Sequence, residues 1–215
     1  MEKRRKRMIK QCLSFTLSLV MALTIVTPVK AAQQQYVPTQ EDIEITKNIK
    51  DIQTARYYSA ALMKNGDLWT WGSMAAMDKY HAIDSSLYTP KTPSVFMTNV
   101  KEFVLTDTYY AAIKNDGTLW MWGCDTNGEL GIGDCELNNF FPRQVNIPKR
   151  VKKVILSNKG WNKTAAITED GDLYMWGDNS VYGLGIGENS DNSKSYNTPQ
   201  KVNGISDVSD VSICG

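Results

Sequence analysis

The stretch Gly117-Thr-Leu-Trp-Met-Trp-Gly-Cys-Asp-Thr-Asn-Gly-Glu-Leu-Gly-Ile-Gly133 returns at the same length as Gly171-Asp-Leu-Tyr-Met-Trp-Gly-Asp-Asn-Ser-Val-Tyr-Gly-Leu-Gly-Ile-Gly187. Nine of the seventeen positions are identical, and a shorter version, Gly66-Asp-Leu-Trp-Thr-Trp-Gly72, precedes both. The first glycines of the three copies lie 51 and then 54 residues apart. A unit recurring at that spacing marks a propeller or a stacked array.

Around each of these glycines the chain reads apolar, then Asn-Gly or Asp-Gly, then apolar: Ala60-Ala-Leu-Met before Asn65-Gly66, Ala111-Ala-Ile before Asp116-Gly117, Ala165-Ala-Ile before Asp170-Gly171. That dipeptide between two short apolar runs predicts a hairpin closed by a tight primed turn, because Gly, Asn and Asp tolerate positive φ best. Side chains alternate along a strand, so Trp120 and Trp122 point one way while Leu119 and Met121 point the other. Both faces are apolar, and both must be covered, as a blade is by its neighbours. A third apolar stretch precedes each hairpin, in Ile49–Ile52, Val100–Phe103 and Val151–Val154, and Val208-Ser-Asp-Val211 begins a further copy. Downstream, Pro90, Pro93, Pro142 and Pro199 are read as fixing a surface connection ahead of a final strand such as 143–146. The expected fold is therefore all-β, with about three four-stranded blades plus the start of a fourth. The boundaries are 48–98, 99–149 and 150–206 for the repeats and 207–215 for the opening of the next. The recurring Gly66, Trp71, Gly72, Gly117, Trp122, Gly123, Gly171, Trp176 and Gly177 are read as structural.

The pattern Asp-Gly-x-Leu-x-x-Trp-Gly, then Leu-Gly-x-Gly, then Pro-x-x-Val resembles the repeats of the regulator of chromosome condensation family. The resemblance covers 48–215 and implies blades of a seven-bladed β-propeller, here incomplete, on a scaffold that family members use to bind proteins. Kelch repeats share the period, but their Gly-Gly doublet is nowhere in this chain. Three departures stand out. The first repeat has Ser73-Met-Ala-Ala-Met77 in place of the Gly-rich tail, the third has an insertion around 158–161, and Tyr58, Tyr109 and Lys163 occupy a position where the family often has His.

Residues 1–31 carry seven Lys or Arg against Glu2, a net of +6 in a chain of net charge +1, which leaves the remainder at −5. The basic start, the apolar run 12–27 and the small residues at Val29 and Ala31 form a secretory signal-peptide pattern, too short to span a bilayer. Cleavage near Ala31 or Ala32 would place the protein outside the cell or at its surface, with no stable membrane insertion afterwards. The acidic remainder lacks the basic footprint of a nucleic-acid binder. Residues 32–47 read as a linker or as a strand that pairs elsewhere. Cys124, Cys135 and Cys214 remain in the mature chain, and Cys124 and Cys135 are either bridged or two separate thiols.

Catalytic signals are sparse. His81 stands alone, and no nucleophile elbow, zincin helix, P-loop or dinucleotide fingerprint is present, so no cofactor and no metal are expected. Asp125, Asn127 and Glu129, or 188–192, supply oxygen ligands without the spacing of a calcium loop. Aromatic residues that do not repeat with the fold are the candidates for a partner surface: Tyr88, Phe140, Trp161, Tyr182 and Tyr196. The function expected is an exported, non-catalytic module binding a protein or glycan through blade loops. The alternative is an exchange-factor-like regulator of a small GTPase or an enzymatic propeller. The stretch Val208–Ile213 is expected on an exposed edge, so the chain is a piece of a longer product, completes itself by self-association, or is a short arc with capped ends.

Overall fold

The computed structural model describes residues 46–73, 92–135, 139–157, 162–187 and 190–213. Two units divide the chain, Met1–Asn48 and Ile49–Gly215. Of the first, only a helical turn at 46–48 is described, so the leader and most of the linker lie outside the described residues. No described helix is long and apolar enough to cross a membrane.

In the second unit the apolar runs form strands that group in fours. Strands β1 (Ile49–Thr54), β2 (Tyr58–Met63), β3 (Leu68–Gly72) and β4 (Ser94–Met97) make one antiparallel meander. Strands β5 (Val100–Leu105), β6 (Tyr109–Lys114), β7 (Leu119–Gly123) and β8 (Asn139–Gln144) make the second. The third comprises β9 (Val151–Leu156), β10 (Lys163–Thr168), β11 (Leu173–Asp178) and β12 (Ser195–Lys201). The chain is all-β, with three four-stranded blades among the described residues.

The central hairpins form where the sequence places them, but their turns differ from the expected two-residue type. In each, the amide two residues before the Asn or Asp bonds the carbonyl just past the Gly: Met63 to Asp67 at 2.8 Å, Lys114 to Thr118 at 3.0 Å, Thr168 to Asp172 at 2.9 Å. Only the glycines take positive φ, at 90°, 83° and 83° for Gly66, Gly117 and Gly171. This is the three-residue loop of a type I turn followed by a left-handed glycine. Asn65 and Asp116 keep ordinary φ and instead accept the amides of Asp67 and Thr118 with their side-chain oxygens, a local bond that Asn and Asp make readily.

The same glycines join the blades. The carbonyls of Gly66, Gly117 and Gly171 accept the amides of Val100, Val151 and Val208 at 2.8, 2.8 and 3.0 Å. At Gly66 a Cβ would meet nothing nearer than 3.4 Å, but at the next two joints the residue before the valine approaches so closely that a Cβ on Gly117 would sit 2.7 Å from Arg150 Cβ, and one on Gly171 would sit 2.7 Å from Asp207 Cα. A side chain there has no room, whatever the φ.

Between blades the two apolar faces interleave as expected. Tyr58, Ala60, Leu62 and Leu68 of the first blade pack with Phe103, Tyr110, Ala112 and Trp122 of the second. On the far side of the second blade, Tyr109, Ala111, Ile113 and Met121 pack with Val154, Ala166, Tyr174 and Trp176 of the third. Each repeat tryptophan thus covers the preceding blade: Trp122 and Trp176 are fully buried, while Trp71, with no described blade before it, is half-buried.

Two expectations change at the edges. Phe141-Pro142 and Thr198-Pro199 are not connections ahead of a strand but lie inside β8 and β12. These are outermost strands, and a proline there need not break a ladder bond. The stretch from Val208 to Ile213 forms no strand, and its apolar side chains are not left on an open edge: Val208, Val211 and Ile213 pack half-buried on the cluster of Ala165, Ile167, Leu173 and Val202. Lys153 pairs with Asp210 across this contact.

Candidate functional site

At the end of the third strand of each blade, Gly72, Gly123 and Gly177 take φ of 99°, 117° and 97°. The next amide, that of Ser73, Cys124 or Asp178, then bonds back to the carbonyl of Tyr57, Thr108 or Asn162 at 2.8, 3.0 and 3.0 Å. This turns the chain out along one rim, where the connections β1–β2, β5–β6 and β9–β10 also lie. Part of each Gly-rich tail is built into this rim. A Cβ on Gly131 would fall 2.5 Å from Trp176 Nε1, so that glycine exists to let the indole in.

The connection 124–135 is held from within. Asp125 Oδ1 accepts the Leu130 amide at 3.1 Å, and the Glu129 carboxylate accepts the Asn127 amide at 2.6 Å and the Thr126 hydroxyl at 3.2 Å. The Glu129 carbonyl receives Trp176 Nε1–H at 2.9 Å and the Thr164 hydroxyl at 2.8 Å, tying the second blade to the third. Burial raises both carboxyl groups above the ordinary range. Asp125 is pushed up to about 7, with the Glu129 and Asp134 charges adding to burial, and Glu129 is shifted in the same direction. Tyr109 OH lies 2.9 Å from the Lys163 carbonyl and 3.1 Å from that of Ser157, also across the joint, and burial raises its pKa. Of the oxygen groups considered for calcium, Asp125 Oδ1 and the Glu129 carboxylate are engaged by backbone amides and the Thr126 hydroxyl. Among the described residues no three or more His, Cys, Asp or Glu side chains converge on a cation position. Cys124 is half-buried and Cys135 exposed, and the two are not bridged to each other.

The expected partner residues separate. Tyr88 and Trp161 lie outside the described residues, as does His81. Phe140 is not in a loop: it lies in β8 and packs against the core that contains Trp122. Tyr196 sits in β12, half-buried, and its hydroxyl accepts the Asp191 amide at 3.0 Å, so both of these rings brace the blade. Tyr182 alone of the described candidates is well exposed, at 53%, and Val181 beside it is exposed at 83%. Both lie in the turn Ser180–Tyr182 at positive φ, 53° and 60°. Sequence reasoning missed Tyr57 on the same rim, 50% exposed with the Arg56 guanidinium 5.2 Å from its ring centre, and Phe141, 66% exposed on β8. For Phe141 the missing signal was strand parity: a register shift between Met121 and Gly123 decides which of two adjacent phenylalanines faces inward.

The opposite rim is charged and cross-braced. Lys149, between β8 and β9, bonds Asp170 and Asp172 of the third hairpin, and Lys201 reaches Asp172 at 2.8 Å. The Lys149 and Thr168 hydrogen bonds hold the Asp170 carboxyl down at about 2.

A profile of the regulator of chromosome condensation (RCC1) repeat matches residues 116–167 and 170–215. The chain is 35% identical over 124 residues to the ultraviolet-B receptor UVR8 of Arabidopsis thaliana, covering 57% of this chain and 27% of that protein. It is 27% identical over 167 residues to Ras guanine nucleotide exchange factor C of Dictyostelium discoideum, covering 63% of this chain and 11% of that one. Among solved structures, Prp20p of Saccharomyces cerevisiae superposes with a TM-score of 0.57 at 19% identity, over 73% of this chain and 39% of its own. The chain spans well under half the length of each of these relatives. Blade architecture, glycine positions and repeat profile agree: residues 116–167 and 170–215 carry RCC1 repeats, in a chain folded as four-stranded propeller-type blades.

Proposed function

We propose that this chain is a non-catalytic binding module, exported after removal of its leader, that engages a protein partner along the rim carrying Tyr57, Val181 and Tyr182. The observation that carries the reading is the backbone at Val181-Tyr182. Positive φ is strained for any side chain and most of all for a β-branched one, and such strain concentrates where a side chain must be displayed. The corresponding residues of the preceding repeat are Asn127-Gly128, the pair suited to that turn. Folding alone favours Asn-Gly, yet the third repeat presents an apolar pair to solvent. Exposed aromatic anchors of this kind carry most of the energy of protein interfaces.

The test restores the residues of the second repeat in the third, Val181→Asn with Tyr182→Gly. Protein collected outside the cell, its N terminus sequenced to check that the leader is gone, is immobilised beside this variant and used to capture extracellular proteins. The variant is expected to be as stable as the parent or more so, and to lose capture at least about tenfold. Undiminished capture would remove the rim from the proposal, and a mature chain beginning at Met1 would remove export.

A second reading is exchange on a small GTPase, favoured by the similarity to a Ras guanine nucleotide exchange factor and by the fold shared with Prp20p, a protein that binds Gsp1p and histones. Acceleration of nucleotide release by the purified chain would establish it in place of the first.

A further inference from the structure

Asp125 and Asn179 occupy the same position in consecutive repeats, two residues past the glycine that ends the third strand. Both are fully buried, at 0% exposure. Each accepts, through Oδ1, the amide of the leucine five residues on, Leu130 at 3.1 Å and Leu184 at 3.2 Å. They differ at the other terminal atom. Asn179 Nδ2 donates to the Asp191 carbonyl at 3.0 Å, whereas Asp125 Oδ2 is buried and meets no hydrogen-bond donor among the described residues. The group it faces is the Glu129 carboxyl, an acceptor already fixed by Thr126 and Asn127. An ionised Asp125 would therefore be a desolvated anion with one oxygen unpaired beside another anion, an arrangement that burial strongly disfavours. A protonated Asp125 has the shape and donor pattern of Asn179.

The surrounding charges offer no relief. Asp134, on the same connection, is paired with Arg143 of β8 at 2.6 Å. The Cys135 thiol is itself raised, by burial first and then by Asp125. From β6 comes the neutral hydroxyl of Tyr109, and from β10 comes Lys163, whose ammonium lies beside Gly183 in the following connection.

We propose that Asp125 is kept as the neutral acid in the folded chain, its proton directed at Glu129, and that loss of this proton as pH rises loosens the joint between the second and third blades. The mechanical link is short. Repulsion acts on Glu129, and the Glu129 carbonyl is the acceptor for both Trp176 and Thr164 of the third blade. Burial in the folded state carries the carboxyl to about 7 from its ordinary 3.8. A folded-state value above the unfolded one means that the stabilisation is complete below the unfolded value and is lost as pH climbs through the folded value.

The experiment is denaturant unfolding of the full chain and of Asp125→Asn, followed by tryptophan fluorescence from about pH 5 to about pH 8.5. Relative to the variant, the folding constant of the parent is expected to fall by up to about tenfold per pH unit until about pH 7 and then to level off. Parallel pH profiles would overturn the proposal. A direct reading that needs no variant is the carboxyl carbon resonance of Asp125 in labelled wild-type protein. Titration near neutrality supports the proposal, and titration in the ordinary carboxylate range refutes it. Added calcium that stabilises the parent above neutrality, but not Asp125→Asn, would assign the position to a cation and refute it as well.

Discussion

Gly177→Ala is expected to destabilise the protein by about 3 kcal/mol or more, a large share of the 5–15 kcal/mol that holds a typical domain together. At φ of 97° the new Cβ would lie 2.1 Å from the Asn162 carbonyl oxygen and 3.1 Å from Lys163 Cα, both backbone atoms of the adjoining strand connection. Flexible side chains can step aside, but a backbone carbonyl that accepts the Asp178 amide cannot move without opening the hairpin. Gly72 and Gly123 stand in the same vice, 2.3 Å from the Tyr57 oxygen and 2.7 Å from that of Thr108. Gly185 is the control: its φ is 64° but a Cβ there meets nothing within 4 Å, so Gly185→Ala should cost only about 1 kcal/mol of backbone strain. Urea unfolding of the two variants separates the contributions. Equal losses would mean that φ, not the close approach, is what these glycines serve.

Trp176→Ala is expected to cost about 3–5 kcal/mol, the range for removing a large buried aromatic side chain and leaving a cavity. Trp176→Phe keeps most of the ring and loses the Nε1–H bond to Glu129, whose carbonyl still holds the Thr164 hydroxyl. That change should cost about 1 kcal/mol beyond its packing defect. Trp122 is equally buried, but its Nε1 has no partner among the described residues. Trp122→Phe should therefore be the milder of the two phenylalanine substitutions. Thermal unfolding of the four proteins, wild type included, orders them, and a Trp122→Phe loss exceeding that of Trp176→Phe would contradict the assigned bond.

Most of the blade was legible because its requirements repeat. Gly123 and Gly177 are glycine because the backbone turns back onto the preceding connection, and Trp122 and Trp176 recur because each must fill the same gap against the blade before it. A feature imposed at every joint leaves a periodic trace in the sequence. What was not legible depends on events that occur once. The expected two-residue turn and the three-residue turn observed both call for Asn-Gly or Asp-Gly, so residue type could not choose between them. Phe140 and Phe141 are adjacent aromatics on an outer strand, and only the register shift against β7 sends one inward and the other out. The partner surface shows the same limit. Tyr182 was found because it departs from the repeat, whereas Tyr57 was hidden because it sits beside the repeating Tyr58. The unusual state of Asp125 had a signal that composition cannot carry, namely the amide Asn179 at the equivalent place one repeat later.

The bonds from the Val100, Val151 and Val208 amides to the turn glycines of the preceding blade also set a direction in time. A hairpin such as Lys114–Thr118 closes with residues near in sequence and forms quickly. Once formed, it displays a carbonyl already aimed at the next valine, so each blade is a template on which its successor begins before that successor's own hairpin exists. Assembly then advances from neighbour to neighbour in the order in which the chain is synthesised, with little loop-closure entropy at each step. The same coupling confines damage. A lesion at one joint is felt by the two blades that share it and fades beyond them, and the slowest amide exchange should be found in β6 and β7, whose blade has a neighbour on each face.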